Sequence, residues 1–152
     1  MKYRIFTFIL VLSCFLNTIA AHDQGPVMIY AGTPIYLSLN QTISSADVEA
    51  GHVVEFLVES NVTVNGRVVI AAGSIAEGRI TKVVKTCGKN CHVRCAQVTI
   101  VAETVQAVDG QRVYLRSSPL VVKGNCIGND PAVAPIGFAL SARILNNIRI
   151  NL

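Results

Sequence analysis

Residues 53–80 read VVEFLVESNVTVNGRVVIAAGSIAEGRI, and this stretch decides the fold class. Apolar residues alternate with polar ones on both sides of Asn65-Gly66, a dipeptide that accepts the positive φ angles of a two-residue hairpin turn. Gly73 marks a further turn, and Gly78 lies inside the strand that follows, where glycine is typical of a β-bulge. The stretch therefore predicts consecutive antiparallel strands.

The same alternation continues on both sides of this stretch. Residues 35–39 form a strand pattern before it, and residues 96–103 form one after it. Asp109-Gly110 is predicted to be a second two-residue hairpin turn. Residues 142–152 alternate as a terminal strand, which is apolar enough on one face that we expect it to pair within the sheet.

Helix signals are weak in the rest of the chain. Valine, isoleucine and threonine are abundant, and an apolar stripe with a 3.6-residue period is missing. Residues 132–141 could form a short helix or an irregular crossing, but Pro131 and Pro135 argue against a long helix. We expect an all-β fold, a small barrel or tight sandwich of roughly seven to ten short, mainly antiparallel strands, because closure removes exposed sheet edges.

Residues 1–21 have the pattern of an export signal. A basic start is followed by an apolar run, Ile5–Ile19, and then by small residues. The run is shorter than the ~20 residues that span a bilayer, which disfavours a retained membrane anchor. Lipoprotein processing at Cys14 is a second alternative, disfavoured by the apolar residues that follow. We expect a cleaved signal peptide over 1–21 and a single β domain over 22–152.

The composition excludes several classes of partner. The net charge is +4 at pH 7, and two of the positive charges lie in the leader. The remaining excess is too small to indicate nucleic acid, and like charges do not form runs. The chain has no tryptophan and only 6% aromatic residues, whereas surfaces that stack bases or sugars need more. We expect an envelope protein or ligand as partner, no nucleic acid, and no integral membrane span after leader cleavage.

Residues 31–80 carry short motifs in a fixed order. In chain order they are AGTP at 31–34, SS at 44–45, NG at 65–66, VIAAGS at 69–74 and AEG at 76–78. This series resembles a widespread group of uncharacterised bacterial exported β domains, and is distantly similar to the β-barrel domain of type IV secretion and conjugation channel components. The resemblance implies a β-barrel fold and an envelope location, and it implies no catalytic residues.

The glycines of these motifs have a structural interpretation. Gly51 and Gly73 each precede an apolar strand, where a tight turn needs a positive φ, and Gly66 completes the Asn-Gly turn. We expect them to shape turns and not to form a binding or catalytic site.

Four cysteines follow the leader: Cys87, Cys91, Cys95 and Cys126. The first three lie in one polar excursion, CGKNCHVRC. An even number of cysteines in an exported domain predicts two disulfides, each contributing roughly 2–4 kcal/mol. We favour a Cys87–Cys95 bridge across the neck of the loop and a Cys91–Cys126 bridge from its tip, and the other two connectivities stay open.

The alternative for this cysteine cluster is a metal site or an enzyme. Three thiolates with His92, or all four thiolates, could hold zinc, but their spacing matches no common zinc motif. Cys87 and Cys91-His92 are also one residue too far apart for covalent haem attachment. We therefore expect no metal and no cofactor.

The sequence contains few combinations of residues that could act together in catalysis. His52 follows a turn glycine, and the sequence lacks a serine in a glycine-flanked nucleophile elbow. Asp47 with Glu49, and Glu55 with Glu59, are close in sequence, but the second pair alternates on a strand in the manner of a solvated face. We expect no catalytic residues and no enzyme activity.

These observations favour an exported cell-envelope β module with a binding or structural role, located in the periplasm, at the outer membrane or outside the cell. A metal-binding or enzymatic protein built on the cysteine cluster is one alternative. A subunit of a secretion or conjugation apparatus is the other.

The leader generates the first prediction. N-terminal sequencing of the exported protein should begin at Ala21 or His22, because small residues precede both positions at the end of the apolar run. A first residue of lipid-modified Cys14 would contradict this and would assign the protein to a membrane anchor.

Overall fold

A computed structural model describes residues 25–86, 95–127 and 130–152, and the predicted signal peptide lies outside these ranges. The described ranges form thirteen β-strands and contain no helix, and hence no long apolar helix that could cross a membrane. The strands, in chain order, are β1 (Val27–Ile29), β2 (Pro34–Leu39), β3 (Ile43–Ser44), β4 (Val53–Val58), β5 (Val62–Val64), β6 (Arg67–Ile70), β7 (Ile75–Val84), β8 (Gln97–Gln106), β9 (Arg112–Ser117), β10 (Leu120–Lys123), β11 (Val133–Ala134), β12 (Ala139–Ile144) and β13 (Ile148–Ile150).

Six of these strands close into an antiparallel barrel, in the order β8, β7, β4, β2, β12, β9 and back to β8. β10 continues beside β8 beyond the end of β9, and β1–β13, β3–β11 and β5–β6 form two-stranded sheets. The predicted all-β fold is confirmed. Of the two expected architectures, a small barrel and a tight sandwich, the structure is a barrel. The number of strands exceeds expectation because the small sheets consist of strands of two to four residues.

Side chains on the barrel strands alternate between the interior and the outer surface. In β2, β4 and β12 every second residue is buried, as the two-residue period of a strand requires. The buried side chains of the barrel strands are apolar except for Thr99 of β8, and the apolar ones include Ile35, Leu37, Leu39, Val54, Phe56, Val58, Ile80, Ile100, Leu140, Ala142 and Ile144. The interior is therefore a packed core and not a channel, and burial of each larger side chain contributes roughly 1.5–3 kcal/mol.

Short sheets cover both ends of the barrel. At the end where β4 leads into β5, the β1–β13 and β5–β6 sheets bury Ile29, Ile70 and Ile150. At the opposite end, where β2 leads into β3, the β3–β11 sheet buries Ile43 and Ala134. Because the interior is filled and both ends are covered, contacts with other molecules are left to the outer surface.

The Asn65-Gly66 turn has the geometry that the sequence predicts. φ is 52° at Asn65 and 76° at Gly66, and these two residues connect β5 to β6. Gly51 and Gly73 also have positive φ, of 93° and 81°, a conformation that glycine adopts without steric penalty.

The prediction of a two-residue turn at Asp109-Gly110 is wrong. The connection from β8 to β9 spans residues 107–111, and within it Gly110 N donates to Ala107 O at 3.0 Å while Ala107 N donates to Gln111 O at 2.9 Å. Gly110 has a φ of 83°, whereas φ is not positive at Asp109. The loop is therefore a three-residue turn that ends in a glycine bulge.

The Asp109 carboxylate holds the end of the chain. Oδ2 accepts a hydrogen bond from Asn151 N at 2.9 Å, and Oδ1 accepts one from Gln111 N at 3.0 Å. Burial acts to raise the pKa of the Asp109 carboxyl, but the hydrogen bonds from Asn151 and Gln111 outweigh it, so the pKa lies below its ordinary value. These contacts to the ionised carboxylate stabilise the fold at neutral pH and are lost as the pH falls through that lowered pKa.

The C-terminal residues 142–152 do not form the single strand expected from their alternation. β12 ends at Ile144, and after a short turn β13 pairs with β1 outside the barrel. The turn is held by Asn147, whose Oδ1 accepts a hydrogen bond from Ala31 N at 2.8 Å. Residues 132–141 form the expected irregular crossing, made of β11, a turn and the start of β12, and not a helix.

Gly78 lies beside a β-bulge, as its position in the sequence suggests. Glu77 pairs with Thr104 and Gly78 pairs with Ala102, so the extra residue is Glu103. The bulge is therefore on β8, and Gly78 is the residue of β7 that faces it.

Gly78 also makes room for the largest fully buried side chain, Phe56. A Cβ atom at Gly78 would lie 2.9 Å from Phe56 Cε2 and would overlap the carbonyl oxygen of Val101. Glycine at this position is thus required by the close approach of β8 and by the packing of Phe56 inside the barrel.

Substitution of this glycine should destabilise the protein. We expect Gly78→Ala to lower the free energy of unfolding by about 1–3 kcal/mol, because the backbone of β8 and Phe56 must both move. Denaturant titration of the mature chain measures the change. Gly25→Ala is the matched control, since nothing lies within 4 Å of its Cβ position; equal stability of the two variants would contradict the packing argument.

Candidate functional site

Cys95 and Cys126 form a disulfide at the end of the barrel that is covered by β3–β11. Cys95 precedes β8 and Cys126 follows β10, and these two strands pair with each other. The ladder extends one step further through Gly124 N, which donates to Ala96 O at 2.9 Å, and the Cα atoms of the two cysteines are 4.4 Å apart. The disulfide therefore closes the ladder where β8 and β10 end.

The favoured connectivity from the sequence is wrong. Cys95 is bonded to Cys126, so it is not bonded to Cys87, and Cys126 is not bonded to Cys91. Cys87 and Cys91 lie outside the described residues. In the sequence, Leu120–Lys123 has no clear alternation that would predict a strand. Its pairing with β8 is what brings Cys126 to Cys95.

The disulfide conflicts with a four-thiolate metal site. Cys95 and Cys126 are joined to each other and cannot both act as thiolate ligands. In the part of the chain that the structure describes, no three His, Cys, Asp or Glu residues come together as a possible metal site. His22 and His92 lie outside that part, and His52 is exposed near a turn.

The carboxylates singled out in the sequence lie on the surface. Glu55 and Glu59 are exposed on and after β4, and Asp47 and Glu49 are exposed in the connection from β3 to β4. Glu55 Oε2 accepts a weak hydrogen bond from Asn40 Nδ2 at 3.4 Å. None of the four is enclosed in a cavity with the disulfide, so these residues do not form one site.

A groove on the outer wall is the strongest candidate for a functional site. It crosses β2, β12 and the end of β9, has a volume of about 460 Å³, and is called the basic groove below. Its lining residues are Pro34, Tyr36, Arg116, Ser117, Ser118, Pro119, Ser141, Ala142 and Arg143.

The basic groove follows a place where the wall of the barrel separates. β12 pairs with β2 from Ala139 to Arg143, but it pairs with β9 only from Ala142 to Ile144. Among the described residues, the first half of β12 therefore has a strand partner on one side only. We call this open edge of β12, residues 139–141, the seam.

Chain length explains the seam. From Tyr114 to Leu120 the chain advances six residues, while the paired strand β8 advances only four, from Thr104 to Ile100. The excess lifts residues 118–119, which lie between β9 and β10, out of the sheet. At this point the side chain of Ser117 takes the place of a backbone partner for β8, because its Oγ accepts a hydrogen bond from Ala102 N at 2.9 Å.

Two arginines face each other across the basic groove. Arg116 and Arg143 are directly opposite in the β9–β12 register, and like charges in that arrangement destabilise a sheet. Arg143 Nη1 donates to Gly32 O at 2.9 Å. Among the described residues, no carboxylate oxygen lies within 4.0 Å of either guanidinium group. Such a pair is suited to binding an anionic group, which both guanidinium groups can reach.

On the wall formed by β7, β8 and β9, arginines are paired with glutamates. A cavity of about 430 Å³ lies over β7, β8 and β9, and its charged residues form ion pairs. Arg79 Nε lies 2.7 Å from Glu103 Oε1, and Arg112 Nη2 lies 3.7 Å from Glu77 Oε2. The arginines of the two walls therefore differ, because Arg79 and Arg112 each have a carboxylate partner, whereas among the described residues Arg116 and Arg143 have none.

The residues of the basic groove were not singled out as a site in the sequence. Tyr36, Arg116 and Arg143 lie on three different strands, and Tyr36 is 54% exposed on the outer face. The available signal was that each occupies a polar-face position of an alternating strand. Only the order of strands in the barrel places β12 between β2 and β9 and thus brings the three together.

Comparisons with known proteins give a distant likeness to a solved structure. No protein-family model matches the chain, and no curated protein matches it. Among solved structures, the chain is similar to ComB10 of the Com type IV secretion system of Helicobacter pylori, with a TM-score of 0.46 and 14% sequence identity, over 79% of this chain and 88% of that chain. The distant resemblance to type IV secretion β-barrel domains that the sequence suggests is in line with this likeness.

The disulfide generates a prediction about thiol reactivity. Cys126→Ser should leave the thiol of Cys95 as the new target of alkylation, and peptide mapping of the labelled, unreduced protein should locate it. We also expect the free energy of unfolding to fall by about 2–4 kcal/mol, because the bridge restricts the unfolded chain. In the converse variant, Cys95→Ser, the thiol of Cys126 should be free and should be alkylated. New label at Cys91 in the Cys126→Ser protein would contradict the pairing.

Proposed function

We propose that this protein is an exported module of the cell envelope with a non-catalytic role, and that it binds another envelope component through the basic groove. The observation that carries the proposal is the cross-strand pair Arg116–Arg143, which has no carboxylate partner among the described residues. Its repulsion destabilises the free protein, and an anionic group placed between the two guanidinium groups would relieve it.

The construction of the barrel supports a binding role on the outer wall. The interior is filled with apolar side chains and both ends are covered, so a ligand cannot enter the barrel without disrupting the core. The basic groove, in contrast, combines a half-exposed aromatic ring, hydroxyl groups and two cations in one concave surface. Tyrosine and arginine are the residue types that contribute most to binding at interfaces.

The disulfide supports the location. Bridges of this kind persist in oxidising compartments such as the periplasm and the extracellular space. Together with the export signal predicted for residues 1–21, the Cys95–Cys126 bridge favours a protein that acts outside the cytoplasm.

Photo-crosslinking in cells that export the protein tests the proposal. A photoreactive amino acid at Ser118, in the basic groove, should crosslink to a specific envelope component, whereas the same group at Lys82, an exposed position of β7, should not. The double variant Arg116→Ala/Arg143→Ala should reduce the Ser118 crosslink by about tenfold, the effect of losing one or two charge-assisted contacts.

Removal of the same charge elsewhere is the matched control. Arg79→Ala/Arg112→Ala removes two arginines from the opposite wall, where their exposed ion pairs contribute only about 0–1 kcal/mol each to stability. This variant should keep the Ser118 crosslink. Equal loss in both double variants, or equal crosslinking from Ser118 and Lys82, would reject the groove as the binding surface.

A further inference from the structure

We infer that the basic groove binds an extended, acidic peptide segment, which adds as a strand to the seam of β12. The inference rests on the proposed function and names the chemistry of its ligand. Two independent features of the same groove carry it: an open strand edge, which takes the backbone of the segment, and the arginine pair, which takes its carboxylates.

The direction of the backbone groups in β12 follows from its hydrogen bonds. Leu39 N donates to Phe138 O at 3.0 Å, and Ile144 N donates to Thr33 O at 2.9 Å, so the even-numbered residues direct their backbone groups toward β2. In a regular strand, alternate residues direct these groups to opposite sides. Ala139 and Ser141 therefore direct theirs away from β2, toward the seam.

The odd-numbered residues nearer the end of β12 confirm this direction. Arg143 is opposite Arg116 of β9, and Leu145 N donates to Tyr114 O at 2.8 Å. β9 thus pairs with this edge of the strand as far as Ala142 and then leaves it, because residues 118–119 are lifted out of the sheet. An extended segment from a partner can continue the ladder at Ala139 and Ser141 where β9 stops.

The side chains at the seam match an acidic segment. In an added strand, every second side chain points to the outer face, where Arg116 and Arg143 lie at one end of the groove. A carboxylate there can accept hydrogen bonds from both guanidinium groups, which is a strong and geometrically specific contact. Tyr36, on the neighbouring strand β2, provides a half-exposed ring for an apolar or small side chain of the same segment.

A peptide accounts for both features, whereas a free anion accounts for one. Phosphate, polyphosphate or an anionic glycan would use the arginine pair but would leave the open edge of β12 without a partner. An apolar strand would use the edge but would leave the two arginines uncompensated. The combination therefore favours a peptide that carries carboxylates on alternate positions.

Binding of synthetic peptides to the mature protein tests the inference. We expect acetyl-(Thr-Glu)₄-amide to bind, to shift the backbone amide NMR signals of Ala139 and Ser141, and to give cross-strand contacts to them. The glutamine peptide acetyl-(Thr-Gln)₄-amide, and the Arg116→Ala/Arg143→Ala protein, should each show affinity lower by about tenfold or more. Raising the salt concentration should weaken the binding of the glutamate peptide but not that of the glutamine peptide.

The role of the strand edge has its own test. A glutamate peptide N-methylated at alternate residues on its pairing edge should bind about tenfold more weakly, because it cannot donate to the seam. Ser141→Pro removes the N–H group at the open edge and should have the same effect, with Ser141→Ala as its control. If Ser141→Pro does not fold, the N-methylated peptide still decides the question.

The opposing outcomes are distinct. Equal binding of the methylated and unmethylated peptides, or tripolyphosphate binding with no peptide binding, would overturn the added strand and leave a simple anion site. An arginine-dependent crosslink from Ser118 without any peptide binding would keep the proposed function and reject this inference. If neither the Ser118 crosslink nor peptide binding depends on Arg116 and Arg143, both the proposed function and this inference are rejected.

Discussion

The barrel closes through a close approach of β7 and β8 at Gly78. A side chain there would strike the backbone of β8 and the ring of Phe56, the largest side chain in the core. With glycine in this position, six short strands can close around Phe56 and the aliphatic side chains that face it. Closure removes sheet edges, and the filled interior supplies the apolar burial that a domain of this size needs.

Closure also decides where the protein can act on other molecules. Because the interior is packed and short sheets cover both ends of the described barrel, recognition is left to the outer surface, which includes the outer wall. That wall has two faces of different chemistry. Over β7 and β8 arginines and glutamates form ion pairs, whereas over β12 and β9 two arginines face each other without a carboxylate among the described residues.

The seam interrupts the wall in the described part of the barrel. It arises because the chain from β9 to β10 has two residues more than β8 needs in the same interval. The same deviation lets β10 continue beside β8, where it brings Cys126 to Cys95. A single irregularity thus opens the edge of β12 on one side and positions the disulfide on the other.

The alternating strands within residues 35–39, 53–80 and 96–103, the Asn65-Gly66 turn and the positive φ of Gly51 and Gly73 could be predicted from the sequence, because they depend on local alternation and local backbone sterics. The loop at Asp109 could not be predicted in the same way; it has one turn residue more than expected, and the Asp109 carboxylate accepts a hydrogen bond from the backbone of the C-terminal segment. Nor did the sequence determine which cysteines pair, or that Tyr36, Arg116 and Arg143 share a groove. Those features depend on which strands are neighbours and in what register, and only the tertiary structure decides this, because pairing between distant strands is set by closure of the whole barrel around its core.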